Sequence, residues 1–192
     1  MSDNLNIQLY EAAKNGIVGE VKALLSQSSV DPAAYRNASL QKACENGHLS
    51  IVKMLLRCER VNPADQENRA LRMAAVNGHY EIVQVLLALP AVDPSARDNE
   101  ALIQASSFHR HDVVRVLLES GRVNPAAQNN RAMRFACIHR DWNMVAILQS
   151  DPRCDYADGM RFAGLEHQGV LSVPIRSVEL ANLDEDPMPV TN

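Results

Sequence analysis

Residues 68–87 of this chain read NRALRMAAVNGHYEIVQVLL. In the first half of this stretch the apolar residues are spaced i, i+3, i+4: Leu71, Ala74 and Ala75. The second half repeats that spacing after a break at Asn77 and Gly78: Ile82, Val83, Leu86 and Leu87. Apolar residues at this spacing indicate one face of an amphipathic helix. The stretch therefore predicts two short helices joined by a tight turn.

The residues at the ends of these helices agree with that prediction. Asn68 is placed to act as the N-cap of the first helix, where its side chain would accept from free backbone N–H groups. Gly78 suits the end of that helix because glycine adopts a left-handed conformation without a Cβ penalty. Pro63 cannot donate to a helix, so we expect it to keep the connection before the pair extended.

The pattern recurs along the chain with a period of 31 residues. A Val-Asp-Pro or Val-Asn-Pro triplet marks each copy, ending at Pro32, Pro63, Pro94 and Pro125, and a degenerate copy follows at Cys154–Tyr156. Asparagine recurs at the same interval: Asn37, Asn68, Asn99 and Asn130. A core position recurs likewise: Leu9, Leu40, Leu71, Leu102 and Met133. No residue is inserted or deleted across the four junctions, so the chain is a tandem repeat.

One helix pair of this size cannot bury its apolar face alone, so neighbouring pairs must stack. The sequence therefore predicts an all-α solenoid of helix-turn-helix units. We place five units at about residues 3–34, 35–65, 66–96, 97–127 and 128–155. A shortened C-terminal cap follows, because Gly159–Ala163 resembles Ala132–Ala136 at an offset of only 27 residues.

Residues 71–87 resemble the ankyrin repeat, whose second half has the pattern A-A-x-x-G-H-x-x-I-V-x-x-L-L, and residues 43–56 match it almost as well. The resemblance covers roughly residues 5–168 and implies an ankyrin-repeat solenoid. It also implies that His48 and His79 hydrogen-bond the loops between units. The usual T-P-L-H opening is replaced by Asn68–Arg72, and the period is shorter than the family's usual length of about 33 residues. We therefore expect short finger loops between units.

Two regions are expected along the chain. Residues 1–170 form the repeat domain. Residues 171–192 form an acidic extension that we expect to be partly disordered, because Pro174 interrupts any long helix and Asp184–Asp186 are three consecutive acids.

Composition excludes several classes of function. The formal charge of −4 gives no overall attraction for nucleic acid or for an anionic membrane. No apolar run approaches the roughly 20 residues needed to span a bilayer, and no secretion signal is visible at Met1–Asn4. The four cysteines include no C-x-x-C pair, which favours a reducing compartment and hence a cytoplasmic protein. We expect the free protein to be monomeric.

No residue pattern indicates catalysis, a cofactor or a small-molecule substrate. His139–Asp141 spells the H-R-D of a kinase loop, but Ala146 stands where asparagine is required. His109, His111 and His139 fall close together in neighbouring units, yet structural zinc needs four ligands and no thiolate or carboxylate has suitable spacing around them. We therefore expect neither an enzyme nor a metal site.

The resemblance implies a partner-binding surface on the first helices and the fingers. The positions before each Gly-His pair become less polar toward the C-terminal half, where aromatic residues and arginine, common in binding hot spots, accumulate. The predicted contact residues are Arg72, Val76, Asn77, Phe108, His109, Arg134, Phe135, Ile138, His139 and Trp142. Here the glycines Gly47 and Gly78 are replaced by His109 and Arg140. The alternative is sequence drift in the terminal units, with Phe108 and Trp142 packed between helices.

Two functional hypotheses follow. The first is an adaptor or scaffold that binds a protein partner through its concave face and fingers. The excess of seven arginines over five acids in residues 97–148 would suit an acidic or phosphorylated partner. The alternative is a secreted effector acting in a host cytosol. Its asparagine-proline repeats resemble those of amoeba-associated bacteria, giant viruses and protists, and its acidic tail at residues 179–186 resembles bacterial translocation signals.

Overall fold

The computed structural model of the chain describes residues 2–164, and within them it contains eleven helices and no strands. The helices are α1 (Ser2–Asn15), α2 (Val18–Leu25), α3 (Ala34–Glu45), α4 (Leu49–Leu55), α5 (Asp65–Asn77), α6 (Tyr80–Leu87), α7 (Ala96–Ser107), α8 (His111–Glu119), α9 (Ala127–Ile138), α10 (Trp142–Gln149) and α11 (Tyr156–Phe162). The all-α class predicted from the sequence is confirmed.

The helices are stacked in two layers. The first helices α1, α3, α5, α7 and α9 each pack against the next, and α11 continues this layer by packing on α9. The second helices α2, α4, α6, α8 and α10 form the other layer in the same order, and each packs on the first helix of its own pair. This is the predicted solenoid.

The core lies between the layers and repeats with the sequence period. The repeated leucine position is at most 1% exposed in every unit: Leu9, Leu40, Leu71, Leu102 and Met133. The second helices contribute a matching buried row: Val21, Val52, Val83, Val114 and Val145. Burying a side chain of this size stabilises the fold by roughly 1.5–3 kcal/mol. Repetition of these buried rows therefore holds each unit against its neighbours.

Four of the first helices open with three residues in the left-handed conformation, at φ between 51° and 64°: Tyr35–Asn37, Gln66–Asn68, Arg97–Asn99 and Gln128–Asn130. Each such turn is closed by a backbone hydrogen bond, as from the Asn68 N–H to the Ala64 carbonyl at 3.0 Å. Among residues 2–164 these turns stand where β-hairpin fingers would lie, so the connections between units are short. Asparagine suits the last position because it tolerates left-handed backbone better than most residues.

The prediction that Asn68 caps its own helix is wrong. Its Oδ1 instead accepts from the Asp93 backbone N–H, at 2.9 Å, in the loop that precedes the next unit. Every unit repeats this bond across 25 residues: Asn6 to Asp31, Asn37 to Asn62, Asn99 to Asn124 and Asn130 to Asp155. The N-cap interpretation failed because the asparagine side chain bonds to the following loop and not to its own helix, and Asn6 does so even from within α1.

The turn between the two helices of a pair is as predicted. Gly78 ends α5 in a left-handed conformation, at φ 83°. The Nε2 atom of His48 donates to the Lys14 carbonyl at 2.9 Å, and that of His79 donates to the Glu45 carbonyl at 3.0 Å. The structural role expected for these two histidines is confirmed.

The predicted boundary at residue 170 and the acidic extension at residues 171–192 lie outside the described residues and stay predictions. The same holds for the segment 179–186, on which the effector hypothesis depends.

Candidate functional site

A chain of three aromatic rings joins the last two units. The Phe135 ring stacks on the His139 ring, one helical turn further along the chain, with centroids 6.5 Å apart. The His139 ring in turn meets the His109 ring edge-on at 5.5 Å, across the boundary between the units. Three of the predicted contact residues are therefore in one cluster.

Three large apolar side chains are close to this cluster in sequence, and each is about half exposed to solvent. Phe108 is 50% exposed, Ile138 46% and Trp142 43%. Phe108 and Trp142 are therefore not packed between helices, whereas sequence drift in the terminal units stays the alternative. We call these six residues the aromatic surface: Phe108, His109, Phe135, Ile138, His139 and Trp142.

The aromatic surface lies at the turns that join α7 to α8 and α9 to α10. These turns are at the opposite ends of α7 and α9 from the left-handed turns. Eight residues of helix separate Asn99 from Ser107, which is roughly 12 Å. The short connections between units therefore lie at the other end of these helices from Phe108, Ile138 and Trp142.

His109 is fixed by a carboxylate that sequence analysis did not single out. Its Nδ1 lies 2.6 Å from Oδ2 of Asp141, and Nε2 of His111 lies 2.9 Å from the same oxygen. Asp141 occupies the repeat position of His48 and His79, three units after the first and two after the second. The change from a ring to a carboxylate at this repeat position is the signal that would have found it.

The other predicted residues of unit 3 have internal roles. Arg72 is only 7% exposed; its Nη1 lies 2.8 Å from Oε2 of Glu100, and its guanidinium also donates to the carbonyls of Gln66 and Glu67. It therefore closes the left-handed turn of its own unit.

Val76 and Asn77 are also engaged within the chain. The Val76 carbonyl accepts from Nε of Arg110 at 2.9 Å, the role that His48 and His79 have in earlier units. Asn77 is exposed, and its Nδ2 donates to the Met73 carbonyl at 2.8 Å. Asn77 also lines a shallow pocket together with His109 and His111, beside the aromatic surface.

Arg134 holds the final helix. Its Nε and Nη2 donate to the two carboxylate oxygens of Asp158 at 3.0 and 3.1 Å, and its guanidinium lies 4.5 Å from the Phe162 ring centroid. These contacts join α9 to α11. Arg134 therefore contributes to the C-terminal cap.

A neighbouring arginine, Arg131, was missed by the sequence analysis. Its guanidinium carbon lies 5.3 Å from the centroid of the Phe135 ring, and its side chain is exposed. Arg131 precedes the aromatic Phe135 by one helical turn, and this spacing is the sequence feature that could have predicted their contact.

A second apolar region was also missed. A groove between α1 and α3 is lined by Ile7, Tyr10, Glu11, Tyr35 and Ala38. Ile7 and Tyr35 are 50% and 51% exposed. Unit 3 has arginine and glutamine at their positions, Arg69 and Gln66, and this contrast within the repeat is the signal in the sequence.

Among residues 2–164, no group of three or more histidine, cysteine, aspartate or glutamate side chains is arranged to hold a metal ion. The thiols are poor nucleophiles: burial raises the pKa of Cys137 to about 11, and burial together with Asp151 raises that of Cys154 to about 12. None of the helices in this part of the chain is long and apolar enough to cross a membrane.

The stacked helix pairs define a helical-repeat protein. Proteins of this class usually bind through an open face of the stack and not in an enclosed pocket. Residues 9–98 match the family model for ankyrin repeats, in three copies, and this stretch therefore belongs to the ankyrin repeat family. Ankyrin repeats are generally protein–protein interaction modules and are typically not enzymes. A comparison with curated proteins finds no match to this chain.

Proposed function

We propose that this protein is an adaptor or scaffold that binds a protein partner through the aromatic surface. The observation that carries the proposal is the exposure of Phe108, Ile138 and Trp142, each between 43% and 50%, at adjacent turns of two neighbouring units. Complete burial of such a side chain is worth roughly 1.5–3 kcal/mol, and because each is about half exposed, about half of that free energy is still to be gained. A partner that covers them recovers much of that free energy.

The cluster is also organised for binding. His109 is fixed by Asp141, and His139 is held between the rings of His109 and Phe135. Side chains held in place before binding lose little conformational entropy when a partner arrives. Such residues are typical of interface hot spots, which aromatic residues and arginine dominate.

The proposal is narrower than an interface over the whole concave face and fingers. Arg72 and Arg134 are engaged by Glu100 and Asp158, and the left-handed turns lie at the far ends of α7 and α9. A reducing compartment such as the cytoplasm suits the four free cysteines.

The test uses Phe108→Ala, Ile138→Ala and Trp142→Ala combined in the full chain. The control is Ile7→Ala with Tyr35→Ala, which removes equally exposed apolar side chains from the other end of the solenoid. Partners captured from cell lysate are identified by mass spectrometry, and their affinities for both variants are measured. We expect the first variant to weaken binding at least about thirtyfold, as for hot-spot residues, and the control to leave it unchanged. The reverse result would move the interface to the groove between α1 and α3.

A further inference from the structure

Positive charge at the aromatic surface is not neutralised within the described part of the chain. Arg131 lies over the Phe135 ring, and its Nη1 donates to Oε1 of Gln128 at 2.7 Å, but residues 2–164 provide it with no carboxylate. Arg140, directly after His139, is exposed and likewise forms no ion pair with any described residue. Both cations are therefore available to a partner.

Three of the nearby carboxylates are engaged elsewhere. Glu100 pairs with Arg72 and Arg97, and Asp158 pairs with Arg134. Asp141 accepts from two imidazoles. Asp112 lies toward the preceding unit, where Glu81 and, more weakly, Asp112 raise the pKa of Tyr80. Within the described residues Arg131 and Arg140 thus remain without an ion-pair partner beside the apolar side chains, while the exposed Asp112 lines a pocket with His109 and His111.

The geometry points to an acidic peptide segment as the part of the partner that contacts this surface: an aromatic or aliphatic anchor flanked by aspartate or glutamate. This inference rests on the proposed function and names the chemistry of its partner. The anchor covers Phe108, Ile138 and Trp142, while a carboxylate accepts from the guanidinium of Arg131. A planar guanidinium pairs with a carboxylate through two parallel hydrogen bonds.

Carboxylate suits this arrangement better than phosphate. Phosphorylated motifs are usually bound by clusters of arginines that converge on one group. Here Arg131 and Arg140 are nine residues apart in sequence, at opposite sides of the His139 ring along the chain. Each is placed to pair with a separate single charge.

The repeat supplies a matched control for Arg131. Arg69 occupies the same position two units earlier, is exposed, and forms no ion pair with the described residues. Where Arg131 has Phe135 one turn later, Arg69 has Met73. Arg69→Gln therefore makes the same change of charge without the aromatic neighbour.

The experiment selects binders from a displayed library of random unphosphorylated peptides against the full chain. The library is first depleted on the variant that combines Phe108→Ala, Ile138→Ala and Trp142→Ala. We expect the selected peptides to be enriched in aspartate and glutamate beside an apolar anchor. Arg131→Gln should weaken their binding, measured by fluorescence anisotropy, about five- to tenfold, whereas Arg69→Gln should change it less than about twofold. Affinity should also fall as salt rises from about 50 to about 300 mM.

Several outcomes would overturn the inference. Apolar peptides without acidic residues would remove it and leave the proposed function standing, and so would equal losses for Arg131→Gln and Arg69→Gln. Much tighter binding of a selected peptide resynthesised with phosphoserine in place of its acidic residues would replace carboxylate with phosphate. Much tighter peptide binding after deletion of residues 165–192 would make the chain's own acidic tail the occupant. Failure to select any peptide that depends on the aromatic surface would instead remove the proposed function.

Discussion

The Nδ1 atom of His109 lies 2.6 Å from Oδ2 of Asp141, 32 residues further along the chain. The same carboxylate accepts from Nε2 of His111 and from the backbone N–H of Met144, where it caps α10. The Asp141 side chain thus caps the start of a helix in unit 5 and binds two imidazoles of unit 4. Burial opposes ionisation of this carboxyl, but the bonds from His109, Met144 and His111 outweigh it and lower the pKa of Asp141 below its ordinary value.

We expect Asp141→Asn to destabilise the fold by about 1–2 kcal/mol near neutral pH, because asparagine can still cap α10 but loses the negative charge and one of the two oxygens that bind the imidazoles. Since the native pKa of Asp141 is depressed, its stabilisation is present above the pKa of an unfolded carboxyl, roughly 3.9, and is lost as the pH falls through the lower native pKa. The free-energy difference between wild type and variant, measured by urea unfolding, should therefore shrink as the pH is lowered from about 5 to about 2.

Asp151 and Asp158 also have lowered pKa values, through their pairing with Arg153 and Arg134. The wild-type protein and the Asp141→Asn variant both retain these two carboxyls, so the difference between their free energies of unfolding reports the contribution of Asp141. A difference that stays constant across this pH range would show that the charge of Asp141 contributes nothing to stability.

Arg140 is a second site where the terminal units depart from the repeat. It adopts a left-handed backbone at φ 54°, the conformation that Gly47 and Gly78 adopt in earlier units. A non-glycine residue pays roughly 1–2 kcal/mol there. We expect Arg140→Gly to raise the free energy of unfolding by about 1 kcal/mol, allowing for the extra freedom of glycine in the unfolded chain. Thermal unfolding measures this directly.

His109 provides the contrast, since its backbone is also left-handed but its imidazole binds Asp141. His109→Gly should bring no net gain, because relief of the backbone is offset by the lost bond. If Arg140→Gly also brought no gain, the Arg140 side chain would have a stabilising contact of its own.

The repeat explains why the glycine is dispensable in unit 4. A Cβ atom on Gly47 would lie 2.6 Å from Cε1 of His79, so the ring of the next unit requires glycine there. The residue that faces His109 from unit 5 is Asp141, which has no ring.

The 31-residue period and the buried rows of the core were predictable from the sequence, because they depend on local spacing and burial.

The left-handed turns were not predictable in the same way. Residues such as Tyr35, Arg36 and Glu67 disfavour that backbone in isolation. The bond from each asparagine to the loop 25 residues later does not by itself require the left-handed turn, because Asn6 makes the same bond from within α1 without one. The pairing of Arg72 with Glu100 and of Arg134 with Asp158, each on the neighbouring helix of the same layer, was not predicted either. These contacts join residues 24–28 apart in sequence, which spacing within one helix does not reveal.

The bond from Asn68 to Asp93 makes a separate prediction. Asn68→Ala removes the acceptor for the Asp93 N–H and places alanine in a left-handed conformation, so we expect a loss of about 2 kcal/mol in urea unfolding. Asn68→Asp keeps the acceptor and the tolerance for this backbone, and it should cost clearly less. Equal losses for the two substitutions would mean that the hydrogen bond to the next loop is not what stabilises the turn.

Arg134 is predicted to hold α11 in place. Its hydrogen bonds to Asp158 raise the pKa of the guanidinium and lower that of the carboxyl, so the pair is ionised throughout the neutral range. We expect Arg134→Ala to release α11 from α9 and to speed amide hydrogen exchange at Gly159 and Met160, which are buried in the native fold. Exchange in α5 and α7 should not change, because each unit contacts only its neighbours. Arg134→Lys should restore part of the protection, since it keeps the charge but loses the two-fold bond and the stacking on Phe162. Faster exchange confined to the α10 amides, with α11 unaffected, would show that Arg134 acts on its own unit and not on the cap.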